Sequence, residues 1–184
     1  MEMVAWLAGE EHSDGPRCAC PVVAAVVRAF NDALPDDAAR SRQLRPLIPR
    51  IVNTRRDGHE ERRRGYLVTD YAVRVFAPIA LERLGNAEAA QSLRRLPAVV
   101  DRACALLAAS TLQLFGSAVA PAAWVAARAA GTLPPAVWVG GVVRQVQEAR
   151  DDRAHALLGL LIEQLLAGEF STEALPAQGM AELG

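Results

Sequence analysis

Apolar side chains recur three and four positions apart along most of this sequence, and runs alternating apolar with polar residues are scarce. That period belongs to amphipathic helices, so the pattern predicts an all-α chain. Pro21 opens a helix that carries Val22, Val23, Val26, Phe30 and Leu34 on one side, and Pro35 ends it. Asp36 is placed to cap a second helix over residues 37–44. Pro46 and Pro49 then break residues 44–52 into isolated turns. A long helix is expected over residues 60–84, kinked at Pro78 and closed by Gly85. Asn86 caps a short helix reaching Leu96. Another begins near Pro97, is interrupted at Gly116 and Pro121, and stops at Gly131. Pro134 and Pro135 open the last, which extends to Ala167 with Gly168 past its end. Residues 169–184 read as a flexible tail.

At 184 residues and 52% hydrophobic, the chain is long enough to bury one core and too apolar to be mainly disordered. The expectation is therefore a single domain over residues 1–168, an irregular, orthogonal bundle of about six or seven helices. Residues 103–127, 25 positions without a charge, are its expected centre. That stretch is long enough to cross a bilayer. Ser110, Thr111, Gln113, Ser117 and Pro121 interrupt it, however, and its many Ala residues add little hydrophobic drive. A helix covered on every side explains the stretch better than a membrane span.

Charge is unevenly laid out. The formal net charge is −1, and every basic residue is Arg. Residues 1–37 hold seven acidic residues against two Arg, whereas residues 40–64 hold nine Arg against three acids. Arg45, Arg50, Arg55, Arg56, Arg62, Arg63 and Arg64 are the candidate anion- or partner-binding residues, since guanidinium suits bidentate contact with carboxylate or phosphate. No aromatic residue interleaves them, and no Gly-rich phosphate loop accompanies them.

Chemistry concentrates in residues 10–20. His12, Cys18 and Cys20, with Glu11, supply the ligand types of a zinc site, although the spacing matches none of the usual zinc motifs. Cys20 also precedes Pro21 at a helix N-terminus, where a thiolate is favoured, and His12 is its candidate base. The plainer alternative has both cysteines packing the loop onto the helices. Asn31 and Asp32 lie where they could meet that loop. Asp70 with Arg74, and Asp151 with His155, stand one helical turn apart. Cys18 and Cys20 are too close for an easy disulfide, and residues 1–9 lack the basic start and apolar run of a signal peptide. Both features point to the cytoplasm.

No catalytic motif stands out, so the leading expectation is a small cytoplasmic interaction or accessory protein. It would present its acidic and Arg-rich surfaces to a protein partner or to a second copy, with no cofactor. The alternative is a metal- or thiol-dependent enzyme using His12, Cys18 and Cys20. A third reading is a nucleic-acid binder working through the Arg block.

Overall fold

The structure, a computed structural model, describes residues 1–168. These are mostly helical and contain no strand, so the all-α class holds. The tail expected over residues 169–184 lies outside the described residues. Proline, glycine and capping side chains cut the chain into more and shorter helices than six or seven. In order they are α1 (Glu2–Leu7), α2 (Pro21–Ala33), α3 (Asp37–Leu44), α4 (Ile48–Ile51), α5 (Gly58–Tyr71), α6 (Ala77–Arg83), α7 (Ala87–Arg94), α8 (Arg102–Leu112), α9 (Ala120–Ala129), α10 (Gly141–Ala149) and α11 (Asp152–Ala167).

The starts follow local chemistry. Asp36 accepts from the Ala39 N–H at 2.7 Å, Asp57 from Glu60 at 2.8 Å and Asn86 from Ala89 at 3.1 Å. Asp101 and Asp151 do the same for Cys104 and Arg153, at 2.8 and 2.9 Å. Each such cap stabilises its helix by about 1 kcal/mol. Gly85 and Gly168 end α6 and α11 in the left-handed region, at φ of 76° and 72°.

Four expectations need correction. Residues 103–127 are not one central helix. Gly116, at φ 74°, turns the chain so that α8 and α9 fold back on each other as a hairpin, the most extensive helix contact among the described residues. Nor is the stretch covered on every side. Ala105, Ala108, Ala109 and Leu112 are buried, but Leu106, Leu107 and Leu114 face outward. The helix expected from Pro97 starts only at Arg102, because residues 97–100 run without helix and Asp101 supplies the cap. The last helix is two: Arg150 adopts φ 48°, and Asp151 begins α11 afresh.

Pro78 does disturb the long helix, through a π-turn (Ala72–Phe76) that joins α5 to α6. Proline lacks the N–H that would bond back one turn and its ring crowds the preceding carbonyls, so the ladder slips to wider spacing just before it. The Ala72 carbonyl, which accepts the Ala77 N–H across this wide turn, accepts a second bond from Gln145 Nε2 of α10 at 3.0 Å.

One contiguous core runs from Val4 to Leu165, with Tyr71, Phe76 and Trp138 its largest fully buried side chains. Asp70 is buried within it. Its carboxylate accepts two bonds from Arg74, both 2.7 Å, and a third at 2.8 Å from the Val99 backbone N–H. The carboxylate therefore ties α5 to the strap before α8, and it is satisfied well enough to sit away from water.

Candidate functional site

The 10–20 loop is held by its own polar groups. Glu10 accepts from the Arg17 N–H at 2.6 Å, and Ser13 accepts from the Gly15 N–H at 3.0 Å. Arg28 Nη1 donates to the Asp14 carbonyl. Cys20 is buried, 1% exposed, and its N–H donates to Thr54 Oγ1 at 2.9 Å. The Cys18 carbonyl accepts from the Arg55 N–H at 3.1 Å, so the loop is stitched to the corner between α4 and α5.

His12 points elsewhere, its Nε2 3.2 Å from Glu2 Oε2 at the exposed surface, and Glu11 is exposed. Among the described residues no three His, Cys, Asp or Glu side chains converge in a way that would hold a metal ion. Partial burial pushes the Cys18 thiol up, opposed by a backbone hydrogen bond at Asn53 and reinforced by the Glu10 charge. A raised thiol stays protonated, the reverse of what a nucleophile requires. The geometry is that of a packed loop.

The Arg block divides between the fold and the solvent. Arg50 grips Glu163 of α11 with two bonds, 2.9 and 2.6 Å. Arg64 is buried at 3% exposure and donates to the Thr54 carbonyl at 2.7 Å, with Glu60 3.7 Å away. Arg63 lies 3.6 Å from Glu60, and Arg56 folds onto the Asn53 and Arg55 carbonyls. Arg62 is half-buried. Arg45 and Arg55 are exposed and form no ion pair with another described residue. Arg40 pairs with Asp37 at 2.7 Å, across the boundary between the acidic and basic segments.

Asn31 and Asp32 line a cavity of about 500 Å³ with Met1, Glu2 and Ile48, in which Asp14 is the one residue from the 10–20 loop. The expected Asp151–His155 side-chain pair is replaced. The Asp151 carboxylate bonds Arg153, at 3.1 and 3.2 Å, which lowers its pKa, while His155 Nδ1 contacts the Asp151 carbonyl at 3.1 Å. A guanidinium two residues along reaches the carboxylate in a fork that an imidazole cannot make.

One surface feature that charge reading missed is apolar. Ala103, Leu106, Leu107 and Ser110 of α8, with Leu114 in the turn after it, fall on one outward helix face. Leu106, Leu107 and Leu114 are 59%, 49% and 80% exposed. The signal was present as the absence of charge from residues 103–127, but a missing charge marks a covered helix and a displayed one alike. No helix among the described residues is long and apolar enough to cross a membrane. Searches of protein-family models, curated proteins and solved structures return no match to this chain.

Proposed function

We propose that the chain is an interaction protein of the reducing cytoplasm that assembles with a second copy of itself. The observation that carries this reading is the outward face of α8, where three leucines stand in water without a charged residue among them. Apolar side chains grouped on one exposed helix face are a feature of interaction sites. The face commits to a copy of itself because nothing on it selects a charged partner. Meeting across a two-fold axis sets leucine against leucine, which suits both sides equally. The solvent-exposed Arg45 and Arg55 and the acidic residues 1–37 would flank such a contact as secondary, salt-sensitive surfaces. All three cysteines are free thiols, in keeping with a reducing compartment.

Sedimentation equilibrium over a wide concentration range tests the proposal. The wild-type chain is expected to dimerise and Leu107→Glu to remain monomeric, with unchanged helical circular dichroism because Leu107 is half-exposed. A wild-type monomer at every concentration, or an equally tight L107E dimer, rejects it. The thiol or metal reading has less support, since Cys20 is enclosed and His12 sits with Glu2.

A further inference from the structure

A groove of about 610 Å³ opens between α2, α9 and α10. Its volume falls within the range of small-molecule sites, about 300–1,000 Å³. Trp124, Pro121 and Val137 supply an apolar wall, and Trp124 keeps 44% of its surface exposed. Gly140 and Gly141 line it too. A Cβ on Gly141 would come within 3.1 Å of Trp124 Cζ3 and of Val125 Cγ2, so the glycine lets α10 close onto the indole. The Arg128 guanidinium carbon sits 5.2 Å from the centroid of the same ring and helps to hold it.

The charged side chains lining the groove are one cation and one anion, beside the polar Ser117. Arg144 and Glu148 both line it, one helical turn apart on α10, and both are exposed. They form no ion pair with each other or with any other described residue. Arg preceding Glu by four positions is the weaker orientation for a helical pair, so each group is left with its charge unmatched beside an exposed aromatic ring.

From these residues we infer that the groove is a binding site for a small zwitterion with a large apolar body, the chemical class of an apolar or aromatic α-amino acid. Arg144 takes the carboxylate, Glu148 takes the ammonium group, and the side chain lies against Trp124 and Val137. Neither charged group alone accounts for the arrangement. A simple anion would leave Glu148 repelling it, and a simple cation would meet Arg144.

Calorimetric titration of the full chain with L-phenylalanine, 3-phenylpropionate and 2-phenylethylamine tests the inference. Saturable binding of L-phenylalanine is expected, with a loss of roughly tenfold or more for each analogue lacking one charge, the cost of a missing charged hydrogen bond. Arg144→Gln should weaken L-phenylalanine by a similar factor while relieving the repulsion of 2-phenylethylamine, and Glu148→Gln should weaken L-phenylalanine while relieving the repulsion of 3-phenylpropionate. Both side chains are exposed and unpaired, so these variants should keep the fold. Absence of saturable binding, equal binding of all three probes, or indifference to R144Q and E148Q overturns the assignment.

Discussion

Tyr71 and its neighbour Asp70 show how much of one residue's behaviour is set by what the fold packs around it. Burial pushes the Tyr71 hydroxyl up to about 12, and the Asp70 charge beside it adds to the rise. The hydroxyl donates to Gln164 Oε1 of α11 at 3.1 Å. The folded state therefore favours the protonated phenol. Its contribution is complete below the ordinary pKa of 10 and is lost as pH rises from 10 to about 12, because the unfolded chain ionises first. Tyr71→Phe should lower stability at neutral pH by about 1 kcal/mol through the lost hydrogen bond. It should also flatten the fall in stability between pH 10 and 12, read by urea unfolding at each pH. An unchanged alkaline slope in Y71F would mean that Tyr71 titrates normally. The Asp70–Arg74 spacing was readable as a helical pair. Its burial, and the third bond to Val99, were not, because the partner N–H lies on a strap 29 residues away.

Elements were legible where their signals are local. Asp36, Asn86 and Pro21 start helices because a side-chain acceptor or a fixed φ acts within one turn, whatever the rest of the chain does. The break at Arg150 was hidden because a non-glycine residue in the left-handed region leaves little trace in a charged run. Glycines inside helices divide for the same reason, their environment being invisible to periodicity. A Cβ on Gly65 of α5 would lie 2.7 Å from Pro135 Cβ and 3.0 Å from Trp138 Cη2, whereas one on Gly159 of α11 would meet nothing within 4 Å. Helix propensity favours alanine at both positions by up to about 1 kcal/mol. Gly159→Ala should realise that gain. Gly65→Ala should instead cost about 1–3 kcal/mol, since Pro135 is rigid and Trp138 is enclosed. Thermal unfolding of the two variants gives the comparison, and a stabilised G65A would show that α5 and the Pro135 turn are free to separate.

At the scale of the whole molecule, the Arg block is in part a clip that closes the fold. Arg50 and Glu163 are 113 positions apart, and their two hydrogen bonds fasten α4 to α11, a pairing no sequence spacing could announce. The adjacent Arg50 guanidinium holds the Glu163 carboxyl below its ordinary value. With a lowered folded pKa, the pair contributes above the ordinary 4.5 and loses that contribution as pH falls through the folded value. Both side chains are nearly half-exposed, so water screens the interaction and its worth is about 0.2–1 kcal/mol. Glu163→Gln should therefore be less stable than wild type by that amount at neutral pH and low salt. The difference should shrink in high salt and vanish in acid, where the wild-type carboxyl also carries its proton. A double-mutant cycle with Arg50→Gln isolates the pair from the rest of the block. A pH-independent E163Q deficit would assign the loss to packing instead, and would return Arg50 to the pool of cations facing solvent with Arg45 and Arg55.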